Sequence, residues 1–343
     1  MNTGLDLEKR YRRVLRLLPG WYRDRWEQDM VSAFLDSWLT GDPEDDDAIL
    51  EFCKPTWQEV ASVVGLAARL YLGGAGTPRR YFAWGQAVRY TVLVVMLVHA
   101  MRGIGGLLLL AASHHLIGWP PPPPATSGIW SMVSYAVNYA WIVIFVALVL
   151  GDFRAARVLA VVAIVPDLVA LVQTQLAGTL LSPFGSWAFW VLLDLAPVLA
   201  MAAFHRDAPL VSRRPWLLAL PAGYLLVFVP LLAAGLTGHA AWVPDFPGLC
   251  CILVSLICLA HLPRARSGLA GSGVWSLTLV LLAAVAGVFR IVSLGDYLHG
   301  NPHMIHVGLA ELVILVAAAA LVAADAARAL RPMPAPPAYP HLG

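Results

Sequence analysis

The sequence predicts an all-α fold, a polytopic membrane helical bundle of about eight spans preceded by a small N-terminal cytoplasmic helical module. Three observations predict it. Of 343 residues, 59% are hydrophobic and 13% charged, with mean hydropathy +0.71, whereas a soluble domain is roughly 45–50% apolar and about 25% charged. Thirteen of the 21 acids fall before residue 60, which sets a polar module over residues 1–80 apart from a membrane domain over 81–328. The third is an alternation of arginine between successive loops, the signature that orients spans in a bilayer. A Pro-rich tail over 329–343 reads as disordered.

Within the module, Leu7, Tyr11, Val14, Leu15 and Leu18 recur at helical spacing, while Lys9, Arg10, Arg12, Arg13 and Arg16 fill the rest of the circumference. Pro19-Gly20 stops this first helix. Tyr22, Trp26, Met30, Phe34 and Trp38 at steps of four predict a second, which ends before the acidic run Gly41 to Asp47, read as a solvated loop. Thr56 and Glu59 have capping-box spacing. They open a third helix through Val60, Val63, Val64, Ala67 and Tyr71 to Gly73-Gly74. No apolar signal segment follows the basic N-terminus, so the expectation is that the module stays in the cytoplasm.

Beyond residue 81, eight apolar stretches match the roughly 20 residues needed to cross a bilayer. They run from 90 to 112, 128 to 150, 158 to 178, 185 to 204, 216 to 237, 246 to 262, 273 to 294 and 304 to 324. Arg79, Arg80 and Arg89 precede the first; Arg154 and Arg157, Arg206, Arg213 and Arg214, Arg264 and Arg266, and Arg328 and Arg331 mark every second connection thereafter. The intervening loops hold no Lys or Arg, which predicts that both termini lie on the cytoplasmic side of the membrane. Pro120 to Pro124 form a stiff polyproline strut in the first outward loop.

The segment Tyr11 to Arg23, containing Leu17-Leu18-Pro19-Gly20-Trp21-Tyr22-Arg23 and followed by Glu27, Met30 and Phe34, resembles the helical prefix ahead of the spans in bacterial permease-like and sensor-like proteins. Together with Gly73-Gly74-Ala75-Gly76, it is similar to an actinobacterial group of uncharacterised multi-pass proteins bearing a permease-prefix module. The likeness covers about the first 90 residues. It implies a cytoplasmic module that contacts a regulatory protein or transporter subunit, through Arg12, Arg13, Arg16, Trp21, Tyr22 and Trp26, and it supplies no catalytic residue.

Charged residues inside spans cost about 2.5–3.5 kcal/mol each on insertion scales and are candidates for function. Five occur: Arg102, Asp167, Asp194, Arg290 and Glu311. Asp167 and Asp194 fall near mid-membrane, about 14 Å into their spans, each beside a proline (Pro166, Pro197) that frees a helical carbonyl. Such an arrangement suits a proton or cation site; kinked helices with protonated or hydrogen-bonded acids are the plainer alternative. Arg290 and Glu311 sit at similar depth on consecutive spans, as an architectural ion pair or a substrate-coordinating site. His99 precedes Arg102 by one turn and shares its face. Further histidines at 299, 303 and 306 lie near Asp296 without a standard metal-ligand pattern.

The net charge of +2 identifies no partner beyond membrane lipid and gives no reason for direct nucleic-acid contact. Cys53, Cys250, Cys251 and Cys258 lack paired spacing and read as packing residues. No phosphate-binding loop, serine–histidine or zinc-protease pattern occurs, so neither a cofactor nor an enzymatic activity is expected. The function expected is a sensor or regulatory subunit coupling the membrane body to a cytoplasmic partner. The alternative is a proton-coupled transporter or permease-like protein that uses Asp167 and Asp194.

Overall fold

The computed structural model describes residues 6–39, 42–74, 76–113, 129–176, 186–205, 211–236, 245–266, 272–297 and 302–330. Among these every regular element is helical. The chain divides into two compact units, Met1–Gly85 with His205–Ala208, and Gln86–Phe204 with Pro209–Gly343.

The first unit contains α1 (Asp6–Leu15), α2 (Gly20–Trp38), α3 (Pro43–Phe52) and α4 (Trp57–Tyr71). Leu7, Tyr11, Leu15 and Leu18 from the predicted stripe are all buried, packed with Val31, Phe34, Val63, Ala67 and Leu70. Tyr11 stacks on Phe34 with ring centroids 3.9 Å apart. Burial, and then the nearby charge of Glu59, pushes the Tyr11 phenol up from its ordinary value. Trp38 donates from Nε1 to Glu59 Oε1 at 2.9 Å, joining α2 to α4.

The acidic run is a correction to the sequence reading, because the segment expected to be a loop is helix α3. Pro43 occupies the first helical position, where its missing N–H would have no partner anyway. The sequence after it, Glu44-Asp45-Asp46, is acidic, and negative charge is favoured at a helix start. Pro19-Gly20 also acts differently: α1 ends at Leu15 in a turn bonded from Leu18 N to Leu15 O at 2.9 Å, and Pro19 caps the start of α2. On α2, steps of four gain about 40° per repeat, so the row drifts off the core. Phe34 is buried, and Trp26 is exposed.

The capping box forms as the spacing predicts, with Glu59 N donating to Thr56 Oγ1 and Thr56 N to Glu59 Oε2. At the other end of α4, Gly73 adopts φ 81° and Gly74 N reaches back to Arg69 O at 2.8 Å. This is a Schellman stop that needs the left-handed glycine.

The second unit holds α5 (Arg79–Ser113) from Gln86 onward, α6 (Ile129–Leu150), α7 (Phe153–Leu176), α8 (Ser186–Ala200), α9 (Arg213–Leu236), α10 (Phe246–Arg266), α11 (Ser272–Tyr297) and α12 (Pro302–Ala329). These helices fall on the eight apolar stretches. Among the described residues, four segments are long and apolar enough to cross a membrane: Arg79–Gly105, Phe246–Ala265, Gly273–Gly295 and His303–Arg328. The strut at 120–124, the tail beyond 330, and His114, His115, His239 and His299 lie outside the described residues.

One core joins Leu93 and Met96 of α5 to Trp141, Ile144 and Phe145 of α6 and to Ala156, Ala160 and Ala163 of α7. The alanines let α7 approach closely, the small-residue packing typical of membrane helices. Gly151, at φ 93°, turns α6 into α7; Asp152 then caps α7 by accepting from Ala155 N. A second core fastens α10, α11 and α12 through Cys251, Cys258, Ala283, Ala286, Leu315, Ala318 and Val322. All four cysteines are free.

Two exchanges test the module's packing. Thr56→Ala is expected to cost about 1 kcal/mol, the usual loss on removing an N-cap side chain. Leu15→Ala, in the core, is expected to cost about 2–5 kcal/mol. Hydrogen exchange on the detergent-solubilised full chain checks both: protection falls across α1 to α4, more for Leu15→Ala, and stays unchanged in α10 to α12.

Candidate functional site

Helices α10, α11 and α12 converge on a buried charge cluster. Arg290 on α11 has no solvent exposure at all. Its Nη1 donates to both carboxylate oxygens of Asp245 at 2.7 Å, and lies 3.5 Å from Ser293 Oγ. Its Nη2 stands 2.7 Å from Glu311 Oε2 on α12. That second contact misses hydrogen-bond alignment, which leaves Nε and Nη2 of Arg290 and Oε2 of Glu311 buried with no aligned partner. A buried cation held by two acids avoids the several kcal/mol that an unpaired ion pays for leaving water.

Local sequence explains why the carboxylates can come so close. Asp245 precedes α10 and caps it, accepting from Gly248 N at 3.1 Å while also facing Arg290. A Cβ on Gly248 would lie 2.7 Å from Glu311 Oε1 and 2.8 Å from Asp245 Oδ1. On α12, a Cβ on Gly308 would lie 2.5 Å from Leu294 Cδ2 and 2.8 Å from Arg290 Nε. A side chain at either position would force these groups to shift. The two glycines are the openings through which the charged groups meet.

A second polar group lies at a cavity of about 840 Å³ walled by α5, α8, α9, α10 and α11. His99 Nε2 stands 3.5 Å from Asp194 Oδ1, and the His99 ring stacks on Trp141 with centroids 4.8 Å apart. His99, Arg102 and Asp194 all border the cavity. Asp167 is half-buried on α7, close enough for its charge to act on Asp194, and Arg102 acts electrostatically on both acids. Helices α7 and α8 continue through Pro166 and Pro197 without a break. At the far end of the cavity, His261 pairs with Ser276 Oγ at 3.0 Å, and Trp275 stacks flat on Tyr90 at 4.8 Å.

The structure thus sorts the six candidates into two sets: Arg290 with Glu311, and His99 with Asp194, Arg102 and Asp167. Sequence reasoning missed Asp245, Gly248, Gly308 and Ser293. Asp245 had a legible signal, as an acid at the mouth of an apolar stretch in a loop without cations. Arg157, expected in a connection, instead lies in α7 and donates to the Met201 and Phe204 carbonyls.

In the module, Arg12 is tied to Glu8 at 2.8 Å, Glu27 at 3.0 Å and Gln28 at 2.9 Å, so it is committed internally. Trp21 packs edge-on to Tyr22 and near Tyr81. Trp26 is open to solvent beneath Arg25, whose guanidinium sits 5.3 Å from the ring centroid. Arg13 and Arg16 are exposed. No group of three metal-ligating side chains occurs among the described residues.

Comparison with family models, with curated proteins and with solved structures finds no match.

The charge cluster makes a specific demand. Arg290→Ala, which strands two carboxylates, is expected to destabilise the α10–α12 unit by about 3–5 kcal/mol. Replacing the set by Arg290→Leu, Glu311→Leu and Asp245→Asn is expected to recover most of that loss, since Asn still caps α10. Thermal melting of the detergent-solubilised variants decides it; a triple variant no more stable than Arg290→Ala would sink this account.

Proposed function

We propose that the chain is an eight-span protein of the bacterial inner membrane, with both termini in the cytoplasm, and that it acts as a sensor or regulatory subunit docking a cytoplasmic partner through its N-terminal module. The observation that carries this is a pair of aromatic side chains stranded on a folded unit. Phe52 is 73% exposed and Trp57 81% exposed, although the unit has a core of its own. Large aromatics left open to solvent on such a scaffold support an interaction site, since aromatic side chains are the commonest anchors of protein interfaces.

The neighbouring charge identifies the kind of partner. Helix α3, whose sequence is PEDDDAILEF, ends at Phe52 and contributes five acids. An acidic flank is repelled by the anionic cytoplasmic leaflet, which attracts basic segments. It suits a protein surface with basic residues around an apolar pocket. This docking face differs from the set implied by the prefix resemblance, in which Arg12 is held by acids of the module itself.

The partner reading predicts that Phe52→Ser with Trp57→Ser, made in the full chain, reduces recovery of a specific co-purifying protein at least about tenfold, as expected for loss of aromatic anchors. Quantitative mass spectrometry after affinity purification in mild detergent measures this. Identical recovery by wild type and variant would rule the face out.

The second reading, proton-coupled transport, is favoured by the pairing of His99 with Asp194 on the cavity wall. An acid and an imidazole in contact inside a membrane cavity can pass a proton between them. In this case Asp194→Asn is expected to abolish proton flux in proteoliposomes carrying a pH-sensitive dye, with normal insertion. Flux equal to wild type in both Asp194→Asn and Asp167→Asn would remove this reading.

A further inference from the structure

We infer that the cavity of the membrane body is a binding site for a single-chain amphiphile with an anionic head, its head at Arg102 and its tail along the groove between α10 and α11. The inference shares its cavity with the transport reading but does not need flux; saturable binding without transport would leave it standing and sink only that reading.

The shape selects a chain. Cavity-lining positions on α10 extend from Cys250 to Arg264, and on α11 from Trp275 to Phe289. Each interval is 14 residues, or about 21 Å at the helical rise, so the cavity is a slot parallel to the spans. Its middle is aliphatic, with Leu253, Val254 and Ile257 on α10 facing Leu279, Leu282 and Val285 on α11. A volume of about 840 Å³ lies within the roughly 300–1,000 Å³ of small-molecule sites. A hydrocarbon tail removes that apolar wall from water without asking it for a hydrogen bond.

The charges select the head. Arg102, Arg264 and Asp194 are the Arg and Asp side chains of the lining, and the charge of Asp167 on α7 also reaches Asp194. Asp194 is directed at His99, 3.5 Å away. Arg264, at the other end, is already engaged within the protein. Arg102 is exposed toward the cavity side of α5 and makes no hydrogen bond or ion pair among the described residues. It lies about 18 Å along the first apolar stretch, in the interior of a hydrocarbon layer roughly 30 Å thick. Asp194 and Asp167 act on Arg102 at a distance without forming an ion pair with it, so a cation at that depth still has room for an anion in direct contact.

Depth also separates this site from ordinary lipid contact. A bilayer phospholipid keeps its phosphate at the interface, about 12 Å from Arg102 on the nearer side. A single-chain carboxylate can carry its head down to the guanidinium, which accepts a carboxylate with two parallel hydrogen bonds.

The test uses the full chain in phosphatidylcholine nanodiscs, with radiolabelled palmitate for affinity and a diazirine-bearing palmitate for mapping. Binding is expected to saturate at about one per chain, and photolabel is expected on α10 and α11 peptides. Arg102→Gln should weaken binding at least about tenfold, the effect of losing one charged hydrogen-bonding partner, whereas Arg102→Lys should retain most of it. Leu253→Trp fills the slot while keeping Arg102 and should abolish saturable binding; it decides the matter even if Arg102→Gln does not fold. The inference is overturned by labelling that rises linearly with palmitate and falls equally on the outward residues Val313 and Val316. Undiminished binding in Leu253→Trp, tighter binding of tetraphenylphosphonium than of palmitate, or displacement by phosphatidylglycerol at equal mole fraction would overturn it as well.

Discussion

Arg290 is the constraint on which the membrane body is built. A guanidinium with zero exposure cannot keep its charge inside a helical bundle unless counter-charges meet it there. Asp245 and Glu311 do so from two other helices. That requirement fixes the depth of α10 against α11, because Asp245 is also the cap of α10. It fixes α12 as well, because Glu311 reaches Arg290 past Gly248. Apolar helix faces slide past one another at little cost in lipid; a three-way charge contact has one register. The small residues along the same interface, Ala283, Ala286 and Ala318, close the remaining distance once that register is set.

Much of the helical plan was legible, because apolar length and arginine alternation are one-dimensional signals. Each apolar stretch coincides with a helix, and the buried stripe Leu7, Tyr11, Leu15, Leu18 followed directly from its spacing. The acidic run is ambiguous in sequence, because charge density suits a solvated loop while acids behind a proline also stabilise a helix start, as in α3. The site was half legible. Arg290 and Glu311 stood out as charges in apolar sequence at equal depth, and their pairing needed only the assumption that adjacent spans touch. Asp245 sits outside the hydrophobic window, so a search for charges within spans passed over it. Gly248 and Gly308 were invisible for a different reason: a glycine's role in a close approach depends on what stands opposite, and that is three-dimensional information.

The outward surface of the membrane body follows from the same physics in reverse. Val158, Leu218, Leu225, Ile291, Val313 and Val316 are each more than half exposed, an arrangement that water would penalise and hydrocarbon does not. The interior is where polarity is concentrated, in Arg290, Glu311, Ser255, Thr278 and His99. Serine and threonine there return their hydroxyls to their own helix, Ser255 to Cys251 O at 2.7 Å and Thr278 to Val274 O at 2.9 Å. They need no partner on a neighbouring helix. Groups with cross-helix polar contacts, among them Arg290, Glu311, His99, Asp194 and the His261–Ser276 pair, help specify how helices meet.

The charge cluster and the cavity are physically one system. Phe246 follows Asp245 in the chain and Phe289 precedes Arg290, and their rings meet edge to face with centroids 5.9 Å apart. Both rings line the cavity. The ion contact that brings Asp245 to Arg290 therefore also closes this aromatic pair, which forms one end of the slot. Loosening the cluster would let α10 move relative to α11 and would change the cavity without touching any residue in its aliphatic middle. Conversely, an occupant that wedges the two phenylalanines apart would strain a contact between a buried cation and its acid, where distance is expensive. Binding in the slot is thus coupled to the register of three helices through named atoms, and a cavity so coupled has the physical means to report its occupancy to the rest of the membrane body.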